Sequence, residues 1–505
     1  MHDIYRPLRN YFREFPLVQS LDLIWAYSQH VANGRPLPER MQFRDQFGKP
    51  TTKPLFIYPW ELDLIAREIV LNGNIVGNRS LDSWHELSIA INKLRRIDND
   101  IAGRYSSRET VMRDLHRTVH LQFPWQRPPS IRTMMRAYKL FGTDMMRPIL
   151  EETTGVDLDS FFKLGIATAG HLREQSTINT EQDYSMLGVP LDVSKKFFDR
   201  LTVDLSELRS RTREAQRYDD SWQFGGNPLR NTPLVRFDPL NPERVICPFP
   251  TFLITRFSEG LFYDTVGHHS FSNAIGKGFE TYVGEVLREV LGDGFTVLEE
   301  QEYWVGKDRK DGVDWIVSDA TGHVFIECKT KRLRYDAKFI ADGVGLETAI
   351  DAMASFVVQH YRNINEALSG LTKWVPDGKM IYPMIVTLED WWLFTPAIVG
   401  MLENSVRRRM NDSGLPLRML DDMPYTIASA DEFETAFQIM SMTGIETYLG
   451  RKCSDAHRQW ALTSFSPGRL QTERKATHGL LFRQDLRHIL FPQLFSSSGT
   501  AKSVR

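Results

Sequence analysis

GHVFIECKTKR, residues 322–332, is the stretch on which the reading of the fold turns. Val324, Phe325 and Ile326 lead in and Thr330 continues the β-favouring character, so the segment reads as a strand. Glu327 and Lys329 interrupt it, two residues apart. Side chains alternate along a strand, so these two share a face, while Cys328 points the other way with Ile326 as a small core residue. Charged groups rarely enter a buried strand unless something pairs with them.

Working outward, VDWIVS (313–318) and HVFIECKT (323–330) flank DATG (319–322), the pattern of a β-hairpin. Asp314 falls early in the first strand of that pair, where twist can bring its carboxylate near Glu327. Upstream, FTVLEEQEYWVG (295–306) reads as a strand and KDRKDG (307–312) as a charged turn. Before these, FSNAIGKGFETYVGEVLREVLGDGF (271–295) repeats Phe271, Ile275, Phe279, Val283, Val286, Leu287 and Val290 as a helical stripe, with Ser272 or Asn273 as cap. Glu280 stands at the edge of that stripe. Gly276 and Gly284 lie one turn to either side of it, each costing roughly 1 kcal/mol of helix stability against alanine. Either something approaches closely around Glu280, or it is an exposed glutamate with two incidental glycines; the helix alone leaves both open. Downstream come a long helical pattern, LETAIDAMASFVVQHYRNINEAL (346–368), and a strand, KMIYPMIVTLE (379–389).

An acidic residue two before a lysine is common: Asp308, Asp336, Asp377 and Glu473 each have one. None of those has two apolar residues before it and a second carboxylate on a preceding apolar strand. The order of helix-borne Glu280, Asp314, Glu327 and Lys329, then helix and strand, resembles the core of the PD-(D/E)xK nuclease superfamily over residues 271–390. GVDWIVSD…GHVFIECKTKR looks like the Asp…Glu-x-Lys hairpin of those enzymes, and GKGFETYV like their glutamate-bearing first helix. Val313 departs from the pattern, standing where the signature proline would be.

The resemblance implies an α+β multidomain protein with a restriction endonuclease-like αβββαβ core, a mixed sheet flanked by helices. It implies metal-dependent hydrolysis of phosphodiesters. Asp314 and Glu327 would hold Mg²⁺, or Mn²⁺ in its place, with the Cys328 backbone carbonyl as a third oxygen and Glu280 completing the shell. Lys329 would position or deprotonate a water, or stabilise the transition state. Without a cation, three carboxylates and one ammonium leave surplus negative charge. Lys331, Arg332, Arg334 and Lys338 follow the strand as candidates for substrate phosphates, as does Lys277 in the first helix. Gln359 would fill the place of a glutamine that some members carry in the following helix. Tyr335 either stacks on a base or packs in the core.

The rest of the chain bounds this reading. At 505 residues two or three domains are expected. We divide them as a mostly helical region at 1–223, a Pro/Gly-rich linker or small subdomain at 224–270, the nuclease core at 271–390 and a helical, basic region at 391–505. The net charge of -2 excludes a uniformly basic surface, so any nucleic-acid footprint is local. Across 451–505, ten Lys/Arg stand against three Asp/Glu, which reads as a phosphate-facing surface or as a solvated helical face with a frayed tail. Cys247, Cys328 and Cys453 have no metal-ligand or disulfide spacing. His268-His269 lacks a visible metal partner and reads as a satisfied loop pair. No secretory or membrane-spanning segment is expected, which with the odd cysteine count points to the cytoplasm.

The resemblance implies nucleic acid as the partner, DNA before RNA by the superfamily's precedent, and RNA stays open because nothing in the sequence recognisably reads a 2′-hydroxyl. A homo-oligomer or a partner protein is compatible with cutting two strands, although no heptad repeat marks one. The layout, a nuclease core between two large helical regions, resembles bacterial anti-phage defence effectors. A non-catalytic nucleic-acid-binding or assembly protein retaining the fold is the alternative.

Overall fold

The computed structural model describes residues 1–505 except 46, 52–56, 106–110, 300, 341–342, 394, 484 and 486–505. It is a mixed α+β protein. Contacts divide the described residues into two units: those within 1–111 and 121–271 form one, and those within 112–120 and 272–483 form the other.

The first unit is mainly helical, with a core that includes Phe12, Phe15, Leu21, Ile24, Tyr27, Ile65 and Ile69. The stretch at 224–270 is not a free-standing linker. Its strands Leu234–Arg236 and Arg244–Ile246 pair with each other, and with Thr202–Asp204 and Thr177–Asn179 they make a four-stranded sheet. His268 and His269 belong to this unit. His268 Nδ1 accepts from the Ser270 amide at 3.2 Å and its Nε2 is 3.4 Å from Glu152, so His268 is satisfied locally, and His269 is exposed.

The second unit opens with helix α1 (Phe271–Val290), whose stripe of Ile275, Phe279, Val283, Val286 and Leu287 is buried as its spacing dictates. Because the helix begins at Phe271, Ser272 and Asn273 sit inside its first turn and do not cap it. Strands β1 (Thr296–Glu299), β4 (Trp315–Ser318) and β5 (Gly322–Lys329) pair antiparallel in that order. The β4–β5 turn is held by Asp319, whose Oδ1 accepts from the amides of Thr321 (2.6 Å) and Gly322 (2.9 Å). Between β1 and β4, the segment expected as strand plus charged turn is a separate hairpin, β2 (Tyr303–Val305) and β3 (Asp308–Lys310). Gly306, at φ 64°, supplies the positive φ that a two-residue hairpin loop requires, and this turns the charged residues into a strand.

After β5 the chain crosses over through α2 (Tyr335–Phe339) and α3 (Val344–Leu368) and returns as β6 (Met380–Thr387), parallel to β5. A parallel neighbour needs such a crossover, and covered faces explain why β5 and β6 are almost wholly buried. The region from 391 is not purely helical. After α4 (Pro396–Asp412) it contributes β7 (Thr426–Ser429), parallel to β6, before α5 (Ala430–Thr443). The five-stranded sheet therefore reads β7-β6-β5-β4-β1. Among the described residues no helix is long and apolar enough to cross a membrane. Of the basic residues counted across 451–505, Arg487, Lys502 and Arg505 lie outside the described residues, and Lys452 is buried.

Candidate active site

The carboxyl end of β5 carries the two charges that opened the sequence reading. Glu327 is 4% exposed, and its Oε1 accepts from Lys329 Nζ at 2.6 Å. Lys329 Nζ also lies 5.3 Å from the centre of the Phe356 ring on α3. Asp314 sits one residue before β4 and not within it. It is buried beside β5, and its Oδ2 accepts from the Cys328 amide at 2.5 Å. The hairpin thus brings Asp314, Glu327 and Lys329 together, and Cys328 is buried with its thiol pushed up by burial and then by Asp314.

Burial, and then the charge of Glu327, pushes the Asp314 carboxyl well above the usual carboxylate range, with a further contribution from Glu280. Burial alone would raise Glu327 too, but His360 and Lys329 outweigh it and hold Glu327 below its ordinary value. Burial would lower Lys329, and Glu327 outweighs that, so the ammonium is held above its ordinary value. The two buried carboxyls are therefore driven apart: Asp314 tends to keep its proton, and Glu327 carries the negative charge.

The second oxygen of Glu327 has a neighbour that sequence reasoning missed. His360 Nδ1 is 3.6 Å from Glu327 Oε2, too long for a hydrogen bond, and both atoms are buried without a hydrogen-bond partner. His360 Nε2 is 3.0 Å from the Phe325 carbonyl. Gln359, expected to face the site from this helix, is exposed. The burial of His360 was legible in the sequence: Ile350, Met353, Ala354, Val357, Tyr361 and Ile364 form the buried stripe of α3, and His360 falls on it.

Glu280 contributes to the field at Asp314 but stands on the helix surface, with Lys277 Nζ 2.9 Å from its Oε2. The flanking glycines have different causes. A Cβ at Gly284 would lie 2.2 Å from Trp315 Cζ2, so that glycine admits the indole, whose Nε1 donates to the Glu280 carbonyl at 3.0 Å. At Gly276 a Cβ would meet nothing within 4 Å. Among the described residues no three His, Cys, Asp or Glu side chains are gathered as a ready metal cage.

Of the proposed phosphate contacts, Lys331 and Arg334 are exposed, Arg334 lying 3.8 Å from Asp336. Arg332 is partly buried. Lys338 is engaged by Glu389, 3.2 Å away, and the same carboxylate accepts from the Leu333 amide at 2.7 Å. Tyr335 is exposed with one edge against Phe339.

No family model matches the chain, and no curated protein matches it. Among solved structures it is similar to protein VC1899 from Vibrio cholerae, at 12% identity over 63% of this chain, with a TM-score of 0.19. The matched part spans 58% of that protein's length, and a likeness this distant carries no argument about fold or activity.

Proposed function

We propose that the chain is a metal-dependent nuclease that hydrolyses phosphodiester bonds of nucleic acid, DNA before RNA, on a core of the PD-(D/E)xK type. Support comes from the order helix, three antiparallel strands, helical crossover and parallel strand, with Asp314, Glu327 and Lys329 meeting at one sheet end.

The observation that carries the reading is Glu327 Oε2, a buried carboxylate oxygen with no hydrogen-bond partner, on a group held ionised beside a second buried carboxyl. Buried acceptors are seldom left so, and this donor set suits a hard divalent cation. Asp314 and Glu327 would hold it, with the Cys328 carbonyl as a further oxygen and Glu280 at the margin. Such an ion supplies charge neutralisation at the phosphate and acidifies water. Glu327 holds the Lys329 ammonium above its ordinary value, which suits it to orient the phosphate and stabilise charge developing on its oxygens. Phe356 and Glu327 hold the ammonium for that task. A role in anti-phage defence rests on resemblance of layout alone.

The 2.6 Å pairing of Lys329 with Glu327 also suits a second reading, a non-catalytic nucleic-acid-binding protein on the same fold. Wild type, Lys329→Ala and Asp314→Ala, incubated with plasmid, linear DNA and RNA, with Mg²⁺ and with chelator, separate the two. Cleavage by wild type alone, and only with metal, supports the enzyme. Equal binding without cleavage by all three proteins supports the binding module.

A further inference from the structure

A cavity of about 120 Å³ lies at the carboxyl ends of β6 and β7, where Thr387 closes one strand and Ser429 the other. Open sheets with parallel strands leave a ligand crevice at this position. Trp391, Trp392, Tyr425 and Trp460 give the cavity aromatic walls. Trp392 has φ 45°, a conformation rare for a bulky side chain and most often tolerated at functional sites.

Lys452 also lines the cavity and is 3% exposed. Its Nζ donates to the Arg458 carbonyl at 2.9 Å, and among the described residues it pairs with no carboxylate. An ammonium has three N–H donors, so two are unfilled. Two acids of the wall are held by backbone amides. Glu432 accepts from the amides of Ser429 (3.0 Å) and Thr463 (2.9 Å), and Asp390 accepts from the Trp392 amide (2.8 Å). Burial pushes Lys452 below its ordinary value, and the nearby Cys453 and Glu432 only partly oppose that. Burying an ion without its counter-charge costs several kcal/mol, which an anion would offset.

We propose that this cavity binds a small planar ring carrying an anionic group, the ring against the indoles and the anion on Lys452. The space is comparable to the ~150 Å³ of an apolar cavity that accepts benzene. The cavity is also tied to the candidate active site. Thr387 is the register partner of Lys329, the Leu388 amide donates to the Lys329 carbonyl at 3.1 Å, and Trp391 Nε1 donates to the Lys331 carbonyl at 3.2 Å. A ligand seated there bears on the backbone that carries Lys329. The binding inference does not depend on nuclease activity.

The test titrates the full chain with benzoate and nicotinate and with their neutral counterparts, benzamide and nicotinamide, followed by tryptophan fluorescence and calorimetry. At least one anion is expected to bind about tenfold tighter than its neutral counterpart, and Lys452→Met to abolish that difference. Trp460→Ala, at the half-exposed rim, is expected to weaken the ring-bearing probes, and it tests the site even if Lys452→Met folds poorly. The inference is overturned if neither anion is preferred by wild type, if the preference survives in Lys452→Met, or if Trp460→Ala binds every probe as wild type does.

Discussion

Glu327 Oε2 and His360 Nδ1 face each other at 3.6 Å, both buried and neither hydrogen-bonded. A carbonyl can only accept, so His360 Nε2 carries the hydrogen donated to Phe325. In a neutral imidazole Nδ1 is then a lone pair, and two acceptors oppose each other across the gap. Either a proton or a cation resolves that opposition, and both make His360 part of the arrangement that keeps Glu327 ionised. His360→Leu is expected to destabilise the protein by about 1–3 kcal/mol, because the buried Phe325 carbonyl loses its hydrogen-bond donor. Cleavage should fall with it. Gln359→Ala, one residue away and exposed, should change stability by no more than about 0.5 kcal/mol. Urea unfolding and plasmid cleavage of both variants check this, and the reverse order would return the role to Gln359.

Asp314 predicts a pH dependence of defined sign. Burial holds its carboxyl protonated to higher pH than an aspartate in the unfolded chain, which ionises near pH 3.9. Between those two values the folded state binds more protons, so its stability falls as pH rises through the window. Asp314→Asn keeps an acceptor for the Cys328 amide and removes the titration. Without divalent cations, the variant should be more stable than wild type at pH 7, by about 1 kcal/mol or more. Mg²⁺ or Mn²⁺ should raise the melting temperature of wild type and leave Asp314→Asn unmoved. Thermal melts across pH 4–8, with and without metal, read both effects; coincident curves for the two proteins would sink the argument.

Lys331 and Arg334 differ from Lys338 in what they already hold. Lys338 is engaged by Glu389, whereas Lys331 and Arg334 are exposed. If the exposed pair meets phosphates, each alanine substitution should lower the slope of log affinity against log salt by about 0.9 on duplex DNA. Lys338→Ala should leave that slope near its original value. Its effect should instead be local loosening of residues 331–339, since Glu389 loses one of the two groups it ties together. Fluorescence anisotropy at several salt concentrations separates the two outcomes.

The sequence was readable where one residue type served one local rule. The apolar stripe of α1, the Asp319 turn and the β4–β5 hairpin follow from periodicity and turn chemistry, so Asp314, Glu327 and Lys329 could be placed near one another. What escaped depended on tertiary neighbours. Tyr303 to Lys310 looks like a fading strand and a charged turn, and only the positive φ at Gly306 reveals a hairpin. β7, four residues long, gains its identity from pairing with β6, which no local pattern announces. The resemblance points to Gln359 by residue type alone, whereas the helical register of α3 puts position 360 on the buried face.

The two glycines around Glu280 offer a final contrast, since the same residue type in one helix has opposite reasons. At Gly284 an added methyl would meet the Trp315 ring at 2.2–2.9 Å, and Trp315 is 2% exposed with its indole nitrogen bonded to the Glu280 carbonyl. A buried indole fixed at both ring and nitrogen has little room to retreat. Gly284→Ala should therefore cost about 1–3 kcal/mol through overpacking and shift α1 against the sheet. Gly276 faces open space, and its helical interior position leaves only the conformational freedom of glycine to count. Gly276→Ala should stabilise the helix by roughly 1 kcal/mol. Paired denaturation curves check the signs. If Gly276→Ala keeps full stability yet weakens nucleic-acid binding, the open space beside Glu280 is where a substrate comes close.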